Sequence, residues 1–415
     1  MLTAEEAWRA IAAHLASLPG EEVPRRQAAG RVLASALPAR VDMPAADVSA
    51  MDGYAVSGPI SPGERRPVVA TVAAGDVPGF TLESPAVARI MTGAPVPSGA
   101  DRVVPVEATD GGREWVTFTA ASVSAEAGQH VRRRGEVQRL GAEILPAGSS
   151  LTPGALSLLA THGYGTLPVH RAPRVAILAS GDEVVPPDTE PGPGQLRDSH
   201  TDFLLAAGSS LGLAFTPLGI APDREDELRR LAERGLESDV LLLCGGVSMG
   251  EFDLAEGVLA GLGCRTVFDA VSIQPGKPLV FAVHDRGKGG LVFGLPGNPA
   301  SVMVTFWLFV RPALRRLLGY EDGFWQGALA ATLAAPLPGA GSRERFLPAE
   351  ITVKNGEIFA TPAPPKGSHD LAAYALGTAL VRVRAGAAPV PAGGRCEVLG
   401  IGFGWRPAPR RTCPP

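Results

Sequence analysis

At 415 residues the chain is too long for one ordinary core, and a length of ~150 residues per domain predicts about three domains. Hydrophobic residues make up 45% of it, and its 51 glycines and 39 prolines fall just short of the ~25–30% share that marks low complexity, so a globular, turn-rich protein is expected. A formal net charge of −4, with acids and bases interspersed, excludes a general attraction to nucleic acid or to an anionic membrane; any anion site must be local.

The opening segment reads as an amphipathic helix, with Thr3-x-x-Glu6 as a capping box and Ala7, Ile11, Leu15 and Leu18 on one stripe. From Val41 to Phe118 short β-like runs alternate with Gly and Pro turns, which predicts a small inserted β-rich domain. The chain returns through the arginine run at 132–134, expected as a salt-bridged face, and through a helix from Pro153 to His162. Between Arg171 and Tyr320 strands and helices alternate: Val175 to Ala179, a helix after Asp198, Ala214 to Ile220, Arg224 to Arg234, Val240 to Leu243, and a helix after Asp253. Such alternation predicts a mostly parallel sheet covered on both faces, with ligands at the carboxyl ends of its strands. An amphipathic helix from Pro299 to Leu318 closes this unit, and the remainder is strand-and-turn, predicting a small β-barrel or sandwich.

The cysteines at 244, 264, 396 and 413 are too far apart for a zinc pair or a disulfide framework, and the histidines form no cluster. A reducing, cytoplasmic setting is the expectation, with no export signal, membrane span or prenylation box.

The segment Leu241-Leu-Leu-Cys-Gly-Gly-Val-Ser-Met-Gly-Glu-Phe-Asp253 carries the clearest chemistry. An apolar strand runs into a turn with Gly245, Gly246 and Gly250, then into a helix. Glycines let the backbone approach a phosphate, and the helix start presents unpaired N–H groups and the positive end of its dipole. A second turn, expected as a hairpin, is Gln274-Pro-Gly-Lys-Pro278, whose flanking residues pin the backbone around Lys277. A third is Gly294-Leu-Pro-Gly-Asn-Pro299, where Pro296 and Pro299 end a strand and start a helix, Asn298 suits an N-cap, and the turn shapes the wall of a cleft. Asp182, Glu183, Asp198 and Asp253 follow strands, with Ser248 and Lys277 in polar turns nearby in sequence. Each acid alone reads equally as a helix cap or solvated turn; together with a phosphate cradle they call for a divalent cation such as Mg²⁺.

With Ser49-Ala-Met-Asp-Gly-Tyr-Ala-Val56, Met91-Thr-Gly-Ala-Pro-Val-Pro97, Gly135-Glu136, Ala179-Ser-Gly-Asp-Glu183, Asp198-Ser199 and Gly367-Ser-His-Asp-Leu371, these turns resemble the molybdopterin molybdenumtransferases of the MoeA type, also seen as the E domain of gephyrin-like proteins. The resemblance covers nearly the whole chain. It implies a multidomain α/β fold: a three-layer αβα molybdopterin-binding domain with a mostly parallel sheet (171–320), an inserted β-rich domain (41–124), an extended helical N-terminal domain (1–40 and 125–170) and a C-terminal β-barrel (321–415).

The implied reaction takes adenylated molybdopterin, inserts molybdate at its dithiolene sulfurs, and releases molybdenum cofactor and AMP with a divalent cation. By resemblance, Asp52, Glu183, Asp253 and Lys277 are catalytic, and Glu183 and Asp253 hold Mg²⁺. Thr92, Asp182, Asp198, Gly245, Gly246, Ser248, Gly250, Pro296, Asn298, Pro299, Arg343 and Ser368 bind substrate, with Arg345 competing for the assignment of Arg343. Asp52 and Thr92 reach the cleft from a second subunit, so a homodimer with shared sites is implied. Without the resemblance Asp52-Gly53 reads equally well as a turn. The implied partners are a molybdopterin adenylyltransferase and acceptor molybdoenzymes, with no nucleic acid and no membrane.

Four positions depart from the family pattern: Gln274 stands where lysine is frequent, Glu256 where a basic residue is common, His200 for asparagine and Val137 for an acid. Lys277 is left as the only cation of its turn, so the expectation is either a lower oxyanion affinity or binding shifted toward Arg343. Two other readings stand beside the transferase: a non-catalytic molybdopterin-binding scaffold of the gephyrin type, and a nucleotide hydrolase of the competence-damage type.

Overall fold

The computed structural model describes residues 1–124, 126–245, 252–284 and 290–401, with side chains at 123, 124, 252 and 253 outside the description. The chain forms two compact units, Glu22–Val169 and a second made of Met1–Glu21 with His170–Pro415.

In the Glu22–Val169 unit, a five-stranded sheet runs in the order Arg102–Pro105, Gly53–Val56, Val87–Ile90, Arg65–Val72, Trp115–Thr117. Alternation along Gly53–Val56 sends Tyr54 and Val56 into one apolar cluster and Ala55 into another, so both faces of this sheet are covered. A further cluster gathers Leu33, Leu37, Leu151, Leu159, Tyr164 and Leu167 around the helix Pro153–Thr161, whose first turn is capped by the Thr152 hydroxyl accepting from Ala155 N. The arginine run is ion-paired as expected: Arg133 meets Asp47 and Arg134 meets Asp42, both at 2.6 Å.

The other unit is built on a six-stranded sheet in the order Phe215–Ala221, Val175–Ser180, Val240–Cys244, Gly290–Leu295, Val280–His284, Cys264–Phe268. The first four are mutually parallel, and Val280–His284 runs against its two neighbours. Val175, Ile177, Val240 and Leu242 face one core with the helices Ala4–Ala12, His200–Ser210 and Pro299–Thr305, while Ala176, Leu178, Leu241 and Leu243 face another with Glu225–Gly235 and Phe252–Gly261. Burial on both faces explains why these strands read as continuous apolar runs.

Three expectations are corrected. The first helix ends at Ala12, and Leu15 and Leu18 pack against the core from the segment beyond it. The segment from Pro299 is buried almost all round and is interrupted: an α-helix at Pro299–Thr305, a π-turn at Phe306–Val310 and an α-helix at Arg311–Leu317. Pro312 has no N–H to donate and its ring crowds the carbonyl four residues back, which accounts for the widened turn before it. Lastly, Gln274–Pro278 is no hairpin. Ile273–Gln274 pairs in parallel with Glu344–Lys354, whereas Val280 enters the α/β sheet, so this turn is a crossover between two sheets.

The second sheet is the β-barrel. Glu344–Lys354, Glu357–Pro362, Leu329–Leu333, Arg395–Gly400 and Ala379–Val383 follow in order, and Ala379–Val383 pairs back onto Glu344–Lys354 to close the ring around Leu333, Leu347, Val381 and Val398.

Candidate active site

Strand direction decides what lies on the rim. Val175–Ser180 and Val240–Cys244 are in register at Ala179 and Cys244, so Gly181 and Gly245 leave the sheet side by side. Gly245 has φ +90°, and a Cβ there would lie 2.3 Å from the Ser180 carbonyl oxygen, so only glycine fits. Because Val280–His284 is reversed, with Val280 opposite Gly294, it starts where the parallel strands end. The Lys277 turn therefore shares this rim with the Gly294–Pro299 turn.

Three loops on the rim carry acids. Asp182 and Asp223 lock their loops together: Asp182 N donates to Asp223 Oδ2 at 3.3 Å and Asp223 N to Asp182 Oδ1 at 3.1 Å, while Ser180 Oγ reaches Asp223 Oδ1 at 3.4 Å. Sequence reading missed Asp223, although it follows the strand Phe215–Ala221 in the same way that Asp182 follows its own. Glu183 is exposed, with its carboxylate folded back over Gly181. Asp198 is buried, and its Oδ1 accepts from His200 N and Thr201 N at 3.0 and 3.1 Å, capping the helix that begins there. Burial pushes the His200 imidazole below its ordinary range, against the pull of Asp198. Cys244 is fully enclosed and its thiol is pushed up by burial, which makes it packing rather than a nucleophile.

Among the described residues no group of three or more His, Cys, Asp or Glu is gathered as a metal cage. The exposed carboxylate of Glu183 nonetheless fits Mg²⁺, which keeps much of its water and binds one or two carboxylates together with substrate phosphate oxygens. Gly246, Ser248 and Gly250 lie outside the described residues, as does the side chain of Asp253, whose backbone stands in the first turn of Phe252–Gly261.

Where the crossover meets the barrel, a cavity of about 280 Å³ is lined by the Gln274–Pro278 turn, Asn298, Ser301, Arg343, Arg345, Leu347, Pro365, Gly367, Ser368 and Tyr374. Its size is at the bottom of the ~300–1,000 Å³ range of ligand pockets and suits a small ion with water. Lys277, Arg343 and Arg345 line it and, among the described residues, no carboxylate does, so the charge of that lining complements an anion. Asn298 sits at the N-cap of Pro299–Thr305 but makes no side-chain cap bond, which leaves its amide to the cavity. The loop bearing Ser368 is held by Asp370, whose carboxylate accepts from Lys366 N at 3.0 Å and Ala373 N at 3.2 Å, and by Ala300 N donating to Ser368 O at 3.3 Å. Tyr374 is buried, its hydroxyl donates to Phe346 O at 3.0 Å, and burial pushes its phenol up, so it is a wall and not a proton donor to a ligand.

The cavity thus unites Lys277, Asn298, Arg343 and Ser368 of the predicted residues, whereas Pro296 and Pro299 frame the turn behind Asn298 without lining it. Ser301 and Tyr374 were not foreseen; the helical spacing of Ser301 from Asn298 was the available signal.

In the Glu22–Val169 unit, Asp52 Oδ1 accepts from both Thr92 N at 2.6 Å and Thr92 Oγ at 2.8 Å. The Thr92 N–H first, and its hydroxyl second, hold the Asp52 carboxyl below the usual range, so it stays ionised.

A doubly covered α/β sheet joined by a crossover to a β-barrel defines a multidomain α/β protein with a cation-lined cavity beside its strand ends. Family models match along the chain: the MoeA N-terminal region (domain I and II) at 2–163, the probable molybdopterin binding domain at 176–316 and the MoeA C-terminal region (domain IV) at 330–401. Molybdopterin molybdenumtransferase 2 of Mycobacterium tuberculosis is 33% identical over 410 residues, covering 96% of this chain and 99% of that one. A molybdopterin molybdenumtransferase of Nostoc is 35% identical, covering 79% of this chain and 76% of its own. The structure of a molybdopterin biosynthesis MoeA protein from Pyrococcus horikosii matches with TM-score 0.80 and 31% identity, over 98% of this chain and all of that one. The chain belongs to the molybdopterin molybdenumtransferase family and is a transferase of molybdenum cofactor biosynthesis.

Proposed function

We propose that this enzyme inserts molybdate into adenylated molybdopterin and releases molybdenum cofactor and AMP, and that the cavity lined by Lys277, Arg343 and Arg345 is the molybdate site. That cavity is the observation carrying the reading. A tetrahedral dianion needs several charge-assisted donors converging from different directions, and Lys277, Arg343 and Ser368 supply them from three separate loops. The rim loop containing Gly245, Gly246, Ser248 and Gly250, with Asp182 and Asp198 beside it, would hold the phosphate end of the pterin. Pro296, Asn298 and Pro299 shape the wall between the two subsites. Glu183 and Asp253 would hold Mg²⁺, which supplies charge neutralisation to the phosphoanhydride being cleaved.

In this reading the chain divides into 1–40 with 125–170, 41–124, 171–320 and 321–415. It works in the cytoplasm as a homodimer, receiving its pterin from a molybdopterin adenylyltransferase and passing the cofactor to acceptor molybdoenzymes. The gephyrin-type scaffold is not favoured, since the relatives matching most of the chain carry the transferase name.

The test is a defined reaction of purified protein with adenylated molybdopterin, Mg²⁺ and molybdate or tungstate. Oxyanion-dependent AMP release, together with activation of an apo molybdoenzyme, is expected. Tight pterin binding with neither product under any metal or oxyanion would replace the transferase by a binding protein.

Shared sites have their own test. Asp52→Asn and Lys277→Ala homodimers, each inactive, are mixed and allowed to exchange subunits. If Asp52 serves the partner's cavity, random reassortment restores roughly a quarter of wild-type activity, because half the dimers are mixed and each has one intact site. A monomer with full activity, or no recovery after proven exchange, would sink the shared-site arrangement.

A further inference from the structure

Arg345 is placed by a feature absent from any local pattern. Gln274 and Arg345 are paired residues of two parallel strands, so their side chains emerge next to one another on one face. Both line the cavity. Gln274 is neutral, and the only charge on its turn is that of Lys277, so the second cation at this level comes from the barrel strand instead. Arg345 is also held in an unusual way. Its Nη1 donates to Gly339 O at 2.9 Å, fixing the guanidinium, while its Nε is buried with no partner. Arg343, two residues earlier, makes only a long contact of 3.4 Å from Nη1 to Ile273 O. Leaving a buried N–H of a charged group unsatisfied is costly, and of the described atoms so placed Arg345 Nε is the one whose residue lines this cavity, where a ligand can reach it. Among the described residues the lining of this cavity offers no carboxylate to satisfy it.

We propose that Arg345 is a direct ligand of the oxyanion bound in this cavity, its Nε donating to an anion oxygen, and that Arg343 and Arg345 act together as a two-guanidinium clamp. The two residues are not alternatives for one role. Arg345 stands on the strand Glu344–Lys354 and Arg343 in the bend just before it, and both line the cavity, so they present two planar forks to one ion while Lys277 approaches from the crossover turn. The inference rests on the molybdate reading for the identity of the ion, but its chemistry holds for any tetrahedral oxyanion of similar size.

Equilibrium binding of molybdate, tungstate, sulfate and inorganic phosphate to the full-length protein, wild type against Arg345→Met, Arg345→Lys, Gln274→Lys and the double variant Arg345→Met with Gln274→Lys, tests it. Arg345→Met is expected to weaken oxyanion binding by roughly 10- to 100-fold, the range for a hydrogen bond to a charged group. Arg345→Lys should recover only part, because an ammonium restores the charge but not the fork. Gln274→Lys should strengthen binding in the Arg345→Met background more than in wild type, since in wild type it sets two cations side by side. Unchanged oxyanion affinity in Arg345→Met, with its circular dichroism intact, would overturn the clamp while leaving the transferase reading standing. Sulfate or phosphate binding that depends on Arg345, with no binding of molybdate or tungstate, would support the clamp and sink the molybdate reading. Failure of wild type to bind any of the four ions would overturn the proposal.

Discussion

Lys277→Ala is expected to lower kcat/KM for molybdate by roughly 10²–10³-fold, the usual loss when one donor to a developing or bound oxyanion is removed, with the melting temperature almost unchanged. The separation of the two effects follows from how the residue is held. Its backbone does structural work: Lys277 O accepts from Val271 N at 2.9 Å, and the neighbouring Gly276 has φ +109°, with a Cβ at 276 lying 2.8 Å from the Thr305 side chain. The Lys277 side chain itself is exposed on the cavity rim, so alanine removes the ammonium and leaves the turn. The loss should fall mainly on the molybdate concentration needed for half-maximal rate, and Lys277→Arg should regain part of it. Steady-state kinetics with molybdate varied at saturating pterin reads this directly; an unchanged molybdate dependence would remove Lys277 from the oxyanion site.

The largest stability effect is expected at Arg382. Its side chain is 6% exposed, and its guanidinium is bonded to Glu344 at 2.7 Å and to Glu5 of the first helix and lies 5.0 Å over the Phe324 ring. This cluster ties the helix Ala4–Ala12 to the barrel strand Glu344–Lys354, which carries Arg345. Burial raises the Glu344 carboxyl above its ordinary range even with Arg382 beside it, whereas Arg382, which burial alone would lower, is raised by its bonds to Glu5 and Glu344. The guanidinium stays charged throughout, so the carboxyl decides the response to pH. Arg382→Met strands a buried carboxylate whose Oε2 already has no partner, and about 3–5 kcal/mol of stability is expected to go.

An acid raised in the folded state binds its proton more tightly when folded. Its penalty is therefore absent below the unfolded value near 4.5 and grows as pH rises through the folded one. The Arg382→Met loss should accordingly be smaller at pH 5 than at pH 7.5, and adding Glu344→Gln should recover part of it. Urea unfolding at the two pH values measures both; an equal loss at each would show that Arg382 acts by packing on Phe324 and Trp325 rather than through its charge.

Much of the fold was legible because its signals are local. Apolar runs such as 240–244 and 290–295, short and followed by glycine or proline turns, read as strands buried on both faces, Thr3 and Pro153 announce helix starts, and turns rich in glycine and proline punctuate the chain where the strands end. Pairs of carboxylates or cations after those strands were equally visible. What each does was not. Asp198 looks like Asp182 in sequence, yet one caps a helix and the other is tied to Asp223 across a loop. The 299–318 segment looked amphipathic because periodicity does not register that Pro312 widens the turn before it or that its outer side is covered.

By itself, then, the sequence determined the order and type of the elements, the glycines that must stand at the strand ends, and the family motifs. Only the tertiary structure decided that the Lys277 turn crosses between two sheets, that Val280–His284 runs backwards and so brings that turn to the ligand rim, and that Arg345 stands in register with Gln274. Strand direction and register are set by pairing between segments tens of residues apart and by which face each must bury. No local run of residues encodes that, so the chemistry of the cavity emerges only when the barrel closes against the sheet.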